Sequence, residues 1–280
     1  MSASTLPATS PGQPGALALL AQSYGCWANV SYRTFSVLRR NWDTYISRWR
    51  SEVWPPFVEG LLQLAAFGLG VGSYVQTIDG TTYLQFIAPA IVGVTVMFQS
   101  AFETSYGSFV RMELQRTFEA IVATPVSVED VISAELLWGA IRSFLGGLVI
   151  LLIIAAAGLV QSWWALLMPI AILLEGLAFS CIGMIFTSLA PEFGFFNYLA
   201  TLVVTPMMLF SGVFFPVSRL PQAIQGVVWF LPLDHAVNLE RALALGRIQP
   251  GLIVDGLWLM AFVGITATIC LVLMRRRLVK

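Results

Sequence analysis

Ionisable side chains interrupt several long apolar stretches of this 280-residue sequence. Because a charge is costly to place in an apolar environment, each such residue is a functional candidate. Glu59, Glu103 and Glu175 are predicted to lie deepest, and a second group lies nearer the ends of the stretches: Glu135, Arg142 and Asp255. Two interpretations stay open: the acids pair with a basic group such as Arg142 and hold helices together, or they line a substrate path. A proton relay has no paired acidic motif in the sequence to support it.

The motifs of common catalytic chemistry are absent from the sequence. It contains no HExxH metal motif and no nucleophile elbow. Its three cysteines, Cys26, Cys181 and Cys270, lack the spacing of a metal site or a disulfide framework. The one lysine is Lys280, which excludes an internal GxxxxGK[ST] phosphate loop. We therefore expect no catalytic residues, no metal site, no cofactor and no nucleic-acid partner for this chain.

Composition indicates a membrane protein. The chain is 58% hydrophobic and 11% charged, whereas soluble proteins carry about 25% charged residues. The predicted fold class is an all-α polytopic membrane protein, with one transmembrane domain over residues 27–280. Six apolar stretches have about the 20 residues that a helix needs to cross a bilayer: 53–75, 83–105, 136–160, 163–189, 195–215 and 252–274.

A polar connection, residues 109–135, separates the second and third predicted spans. Glu113 and Arg116 lie three residues apart and are expected to pair on one helical face. The spacing of four apolar residues predicts a stripe on the opposite face of an amphipathic helix: Leu114, Phe118, Ile121 and Val122.

The end of this helix and the start of the next are also predicted. Thr124 precedes Pro125, and a residue before proline is pushed out of the helical region. Ser127 then has the features of an N-cap, with Glu129 and Asp130 in the first helical turn. We expect a kink at Pro125 between a short helix and one that becomes the third span. Such a polar hairpin is a candidate for docking another protein; the alternative is a structured loop on the bilayer surface.

The N-terminal region divides into two predicted parts. Residues 1–26 are expected to be a disordered extension. Residues 27–50 have an apolar stripe and several arginines, which is typical of an amphipathic helix in the membrane interface. The alternative is a helix on the aqueous side that packs on the protein. The stripe comprises Phe35, Leu38, Trp42, Tyr45, Ile46 and Trp49.

Aromatic residues cluster where the first predicted span begins. Trp and Tyr prefer membrane interfaces, which accounts for most of them. The more specific interpretation is a stacking surface that receives an amphipathic substrate such as a glycolipid. The candidate substrate path consists of Trp42, Tyr45, Trp49, Trp54, Glu59 and Glu103.

Residues 216–251 contain two apolar pieces that are too short to cross a bilayer. They are residues 223–231 and 236–245, bounded by Pro221 and Pro232. Short broken helices of this kind fit re-entrant elements packed against protein.

The distribution of basic residues predicts the orientation. By the positive-inside rule, both termini and the 109–135 connection face the cytoplasm, and the 216–251 segment lies outside. The inner side would hold Arg33, Arg39, Arg40, Arg48, Arg50, Arg111, Arg116, Arg275, Arg276, Arg277 and Lys280, and the outer side Arg219, Arg241 and Arg247.

These features together resemble the permease subunit of an ABC-type exporter of the type-2 export class. The stretch MELQRTFEAIVATPVSVEDVI (112–132) is similar to that of NodJ-type lipo-oligosaccharide export permeases. LFSGVFFPVSRLP (209–221) and WFLPLDHAVNLERAL (229–243) resemble the signature region of the same class. The resemblance covers about residues 27–280, and residues 1–26 depart from it.

The resemblance implies an assembly. Two copies of the chain would work with two separately encoded ATP-binding subunits, which bind ATP and Mg. A coupling helix at 113–123 would sit in a cleft of the ATPase, spans one, two and five would line the dimer interface and substrate path, and residues 217–245 would close the path from outside. The implied coupling residues are Glu113, Arg116, Thr124, Pro125, Glu129 and Asp130.

The expected function is ATP-driven export across the bacterial inner membrane by alternating access. The substrate implied is a lipid-linked oligosaccharide or a similar amphipathic glycoconjugate. A permease of the same class for hydrophobic drugs or antibiotics is the main alternative. An ion-coupled secondary transporter would be expected to have broken helices in both halves, whereas one broken region is visible. A lipid-modifying intramembrane enzyme would need a catalytic constellation.

Overall fold

The computed structural model describes residues 30–75, 77–78 and 80–278. In this range, six helices are long and apolar enough to cross a membrane, which confirms the predicted all-α class with six spans. The predicted extension, residues 1–26, lies outside the described residues. Spans 1 to 6 are Trp49–Ser73, Tyr83–Leu114, Val128–Ala156, Trp163–Leu189, Phe193–Phe210 and Gly251–Leu278.

Regular elements account for most of the described chain. Two short strands, β1 Thr77–Ile78 and β2 Thr81–Thr82, pair antiparallel between spans 1 and 2. The α-helices are α1 Thr34–Ser47, α2 Trp49–Ala65, α3 Tyr83–Phe102, α4 Thr117–Val122, α5 Val128–Ala156, α6 Met168–Leu189, α7 Phe196–Tyr198, α8 Thr205–Phe210, α9 Gln222–Val228, α10 Pro232–Leu245 and α11 Gly251–Leu278. The π-helical turns are Ala66–Gly70, Glu103–Gly107, Val110–Leu114 and Leu199–Val204, and the 3-10 turns are Val71–Ser73, Trp163–Leu167, Phe193–Phe195 and Val217–Arg219.

Span 2 is the central helix of the bundle. In its most apolar window 78% of the residues are buried within the chain, against 11% in span 1 and 17% in span 5. Small residues allow the close approach of its neighbours: a Cβ on Gly183 of span 4 would collide with the Thr104 side chain and the Ala101 carbonyl. Spans 1 and 5 therefore offer more free surface for a second copy than span 2, which had been expected to share that interface.

Two predicted span boundaries are wrong. Span 2 continues to Leu114, rather than ending near residue 105, and span 3 begins at Val128, rather than 136. The predicted boundaries left Asp130 and Glu135 outside span 3. In the structure Glu103, Asp130 and Glu135 are buried with polar partners, so the helices continue through them.

The polar connection is shorter than predicted and is not one helix from residue 113. Arg116 has a left-handed backbone with φ 49°, which breaks the chain between Leu114 and α4. As a result, Leu114 is 66% exposed while Phe118 is 1% exposed, so the predicted stripe does not form through Leu114. The side chain of Val122 lies outside the described part of the chain.

The predicted helix N-cap at Ser127 is confirmed by hydrogen bonds. The Asp130 amide donates to Ser127 Oγ at 3.0 Å, and the Ser127 amide donates to Asp130 Oδ2 at 3.2 Å. These reciprocal bonds form a capping box after the turn at Pro125. Residues 115–127, called the α4 segment below, are therefore held at their C-terminal end by this capping box.

Helix α1 packs on the bundle through a polar face. Thr34, Val37 and Asn41 are buried. Of the predicted apolar stripe, Phe35 and Ile46 point away from the protein, at 68% and 50% exposed, whereas Leu38 and Tyr45 are half-buried. The helix ends at Ser47, so Trp49 and Arg50 belong to span 1 rather than to the predicted 27–50 helix. Residues 27–29 lie outside the described residues.

The predicted broken region contains two separate helices, α9 and α10. Helix α10 begins at Pro232, four residues before the predicted start, because proline suits the first turn of a helix. It ends at Gly246, whose φ of 72° favours glycine. Helix α10 packs against spans 2, 4 and 6, which places its ionisable residues inside the bundle.

Candidate functional site

A continuous ion-pair network joins spans 1, 2 and 3. Arg111 Nη1 lies 2.9 Å from Glu103 Oε1, and its Nη2 lies 2.6 Å from Glu135 Oε2. Arg142 contacts Glu103 and also Glu52 of span 1. The interpretation of Arg142 as a structural partner is therefore confirmed for Glu103.

Glu135 is the most enclosed carboxylate of this network. It has 0% exposure and accepts hydrogen bonds from Ser108 Oγ at 2.8 Å, Asn41 Nδ2 at 3.2 Å and Arg111 Nε at 2.9 Å. Hydrogen bonds from charged or polar donors are what make a buried carboxylate tolerable. Because the donors come from α1 and span 2, this carboxylate of span 3 fixes three elements together.

Local backbone geometry positions these groups. The π-helical turns Glu103–Gly107 and Val110–Leu114 carry Glu103 and Arg111. A π turn takes one more residue per hydrogen bond than an α-helix, so it changes which residues share a face, and such turns are frequent at functional sites. Sequence periodicity assumes a regular helix, which is why it did not place Arg111 in this network.

A second polar junction lies beside the first. Asp130 accepts hydrogen bonds from the Ser31 amide at 2.6 Å, Ser31 Oγ at 3.0 Å and Thr34 Oγ1 at 3.0 Å. Arg33 donates to the Pro125 carbonyl. The start of α1 is thereby joined to both the α4 segment and span 3.

The end of span 6 contacts the same region. Arg275 Nη1 lies 3.0 Å from Glu129 Oε1, and Arg277 Nη2 lies 2.9 Å from Glu113 Oε1. The predicted pairing of Glu113 with Arg116 is wrong, since the left-handed break at Arg116 interrupts the helix that would have aligned them. Basic residues from α1 and span 6 thus gather at the α4 end of the bundle.

The implied coupling residues divide into two groups by position. Glu129 and Asp130 are 4% and 1% exposed and hold the α4 segment to its neighbours. The outer surface of the segment is formed by Gln115, Arg116, Glu119, Ala120, Ala123, Thr124 and Pro125. Phe118 anchors it in an apolar cluster with Phe109, Met112 and Val131. The result is an exposed surface on a fixed base.

A cavity of about 1220 Å³ opens between α1 and spans 1, 2 and 3. Four of the six predicted substrate-path residues line it, namely Trp42, Tyr45, Glu59 and Glu103. The other two, Trp49 and Trp54, do not. Tyr45 stacks on Trp42 at 6.1 Å and meets the edge of Trp138 at 5.7 Å. Glu59 is exposed and accepts from Gln63 Nε2 at 3.1 Å, so the pairing interpretation does not extend to it. Trp138 was missed, because a tryptophan inside an apolar stretch gives no distinguishing signal.

The opposite end of the bundle contains the single histidine of the chain. His235 Nδ1 lies 2.6 Å from Asp255 Oδ1, and its Nε2 lies 2.7 Å from the Trp229 carbonyl oxygen. A carbonyl oxygen can only accept, so Nε2 donates to Trp229, and Asp255 is placed to accept a hydrogen bond from Nδ1 of a protonated ring. The ring also stacks on Trp258 at 4.3 Å. Burial lowers the pKa of His235, but these two hydrogen bonds outweigh it and the pKa is raised.

Two acids meet that the sequence did not pair. Glu175 of span 4 and Glu240 of α10 both direct a carboxyl oxygen at Gly93 of span 2, at 3.3 Å and 2.8 Å from where a Cβ on that glycine would lie. The sequence contains no paired acidic motif that would have indicated this meeting. Their separation along the chain gives no local pattern, so only the packing of α10 into the bundle reveals the pair.

Comparisons with known proteins identify the class. A family model described as "ABC-2 type transporter" matches residues 32–245. The chain is 37% identical to Nodulation protein J of Rhizobium meliloti (strain 1021) over 246 residues, which is 87% of this chain and 93% of that relative. Against Nodulation protein J of Rhizobium leguminosarum bv. trifolii the identity is 37% over 78% of this chain and 83% of the relative. Inner membrane transport permease YadH of Escherichia coli (strain K12) is 26% identical over 72% of this chain and 80% of the relative.

The chain therefore belongs to the ABC-2 type transporter family. Within that family it is a membrane-spanning transport permease, in agreement with its six apolar spans. Membership implies an ATP-binding subunit as a partner.

Replacing Arg111 by Met is expected to destabilise the protein by about 3–5 kcal/mol, because it leaves the buried Glu135 carboxylate without its cation. Glu103 keeps Arg142. Adding Glu135→Gln to the same protein should recover most of the loss. The exposed Arg116→Met is the matched control and should stay within about 0.5 kcal/mol. The free energy of unfolding is measured for the purified single variant, the double variant and the control. An Arg111→Met protein as stable as the wild type would contradict the network.

Protonation of His235 should make stability depend on pH. A raised folded-state pKa means that its contribution is fully present below the ordinary value of 6.5 and is lost as pH rises through the folded-state pKa. Asp234, whose pKa burial raises from 3.8 to about 6, contributes fully below pH 3.8 and loses that contribution as pH rises through about 6. The unfolding temperature should therefore fall as pH rises above neutral in the wild type, and it should fall less in His235→Gln. NMR of the histidine-labelled protein measures the protonation state of this single imidazole directly. A neutral ring at neutral pH would contradict the assignment.

Proposed function

We propose that this chain is the membrane-spanning subunit of an ATP-driven exporter in the bacterial cytoplasmic (inner) membrane. Two copies work with two ATP-binding subunits, which supply ATP and Mg. The transported molecule is a lipid-linked oligosaccharide or a similar amphipathic glycoconjugate. The observation that carries the proposal is the α4 segment, an exposed surface held on a fixed base at the basic end of the bundle.

The distribution of basic residues supports the orientation. Arg33, Arg275 and Arg277 all contact residues at the α4 end of the bundle. By the positive-inside rule this end faces the cytoplasm, where ATP is available. Helices α9 and α10 then lie toward the outside. Both termini are cytoplasmic in this arrangement.

The α4 segment has the properties of a coupling element. The side chains of its outer residues, including Glu119 and Pro125, are exposed and are therefore available to a partner. Phe118 is buried and fixes the segment in the core. A movement imposed on this surface passes to α1 through Asp130 and to spans 1 to 3 through Arg111 and Arg142. ATP binding at the partner would in this way shift the balance between inward-open and outward-open arrangements.

The large cavity supports an amphipathic substrate. Its volume of about 1220 Å³ exceeds the roughly 300–1,000 Å³ of typical small-molecule pockets. Aromatic faces of Trp42 and Tyr45 suit the apolar face of a sugar ring, and Arg40, Gln99 and Gln115 supply polar groups. This mixed lining favours a glycoconjugate over a purely hydrophobic drug. The outward stripe of α1 would lie in the interface, where a lipid-borne substrate approaches.

The exposed apolar surfaces of spans 1 and 5 support pairing of two copies. In their most apolar stretches only 11% of the residues of span 1 and 17% of those of span 5 are buried within one chain. In span 5 the exposed side chains include Tyr198 and Leu202, and in span 1 Leu62 and Leu69. A second copy that covers these faces would place two cavities on either side of a shared path.

Glu119→Arg is expected to lower ATP-driven export at least about tenfold, equivalent to about 1.4 kcal/mol of lost coupling or docking. The reason is that charge reversal on the outer surface of the α4 segment disturbs contact with the ATP-binding subunit. The assay is export and ATP hydrolysis by the complex reconstituted with its neighbouring ATP-binding subunit.

Glu192→Arg is the matched control, since Glu192 is an exposed acid after span 4, at the same end of the bundle. It should retain wild-type coupling. Equal losses in both variants would point to a general charge effect, and full export by Glu119→Arg would contradict docking through the α4 segment. Transport by the chain without any ATP-binding subunit would overturn the proposed function.

A further inference from the structure

Three elements meet at Gly93 of span 2, and two of them bring a carboxyl group. A Cβ placed on Gly93 would lie 2.8 Å from Glu240 Oε2 and 3.3 Å from Glu175 Oε1. Both glutamates have 0% exposure. The absence of a side chain at Gly93 is what leaves room for the two carboxyl groups to approach each other.

The two carboxyl groups lack other side-chain hydrogen-bond donors. Among the described residues, no other side chain donates a hydrogen bond to either carboxyl group. A buried polar group without a donor is costly, and most proteins avoid it. Since both groups lack another side chain as donor, are fully buried and are directed at the same space, the observation points to a ligand between them.

The charged residue beside the pair, Arg241, makes its hydrogen bonds elsewhere. Arg241 follows Glu240 and donates to the carbonyl oxygens of Phe86 at 3.1 Å and Gly212 at 2.8 Å. It supplies one positive charge near the pair. With both glutamates ionised, the three residues carry a net charge of −1, and with one proton added they are neutral. The remaining titratable groups on α10 and span 6 near this region are Asp234, His235 and Asp255.

We propose that Glu175 and Glu240 form a proton-binding site that holds one shared proton and so fastens α10 to span 4. Two ionised carboxylates in contact repel each other strongly in a medium of low dielectric constant. One proton converts this repulsion into a short hydrogen bond between an acid and a carboxylate. The ligand is therefore a proton, and neither carboxyl group needs a metal ion.

Release of the proton has a mechanical consequence. It restores two like charges in a buried contact and forces α10 away from span 4. Helix α10 follows the break at Leu231 and also contacts span 6. Proton occupancy thus sets the position of the broken segment. This inference goes beyond the proposed function, because the site exists whatever molecule is exported.

Infrared difference spectroscopy tests the shared proton without any partner or substrate. The purified chain in lipid nanodiscs at neutral pH is compared with Glu240→Gln and Glu175→Gln. We expect a protonated-carboxyl band in the wild type that is lost in each variant, whereas the exposed Glu192→Gln retains it. A wild type without this band at neutral pH overturns the proposal.

The conformational role is tested in the reconstituted complex by the dependence of export on pH. A glutamine donates permanently to the remaining carboxylate, so both single variants should fold and mimic the proton-bound state. Export by the wild type should fall several-fold as pH rises from neutral to alkaline, with a smaller fall in either variant. Parallel pH profiles in wild type and variants contradict the conformational role.

An alkali cation is the competing occupant. Thermal unfolding of the wild type in NaCl, KCl and choline chloride distinguishes it from a proton. Equal stability in the three salts supports the shared proton. Stabilisation by Na⁺ or K⁺ that disappears in Glu240→Gln overturns the proposal in favour of a cation site.

Discussion

The need to neutralise charge inside an apolar bundle governs the arrangement of this protein. Carboxylates at Glu103 and Glu135 lie within or beside membrane-spanning helices, and each is surrounded by arginine or polar donors. A buried ion pair need not be more stable than apolar packing, but breaking one is strongly destabilising. The network therefore requires that spans 1, 2 and 3 keep a particular register, which apolar contacts alone would not specify.

The same requirement explains how a surface element is connected to the membrane-spanning part. The α4 segment contains one buried aromatic anchor, Phe118, and its exposed residues could not by themselves hold a fixed orientation. Its orientation comes from Asp130, which α1 and Ser127 both contact, and from span 6 through Arg277. An exposed surface on such a base can transmit a displacement, whereas a flexible loop would absorb it.

Local patterns in the sequence were sufficient for the six spans, the turn at Pro125, the N-cap at Ser127 and the two helices after span 5. They were insufficient where the structure departs from a regular helix or depends on distant residues. The left-handed residue Arg116 has no sequence signature, because arginine rarely adopts that backbone. The contact of Glu175 with Glu240 depends on α10 packing between spans. Periodicity could suggest that an acid was buried, but not which group it faced.

The central claim is that the buried network transmits motion from the α4 segment, and the Arg111→Met/Glu135→Gln double variant tests it most directly. This protein removes the Arg111–Glu135 link between spans 2 and 3 without leaving an unpaired buried charge, and it keeps the Arg142–Glu103 pair, so it should fold. The measurement is the number of substrate molecules exported per ATP hydrolysed by the reconstituted complex. The account predicts that ATP hydrolysis continues while this ratio falls severalfold. A stable double variant with the wild-type ratio would contradict the account.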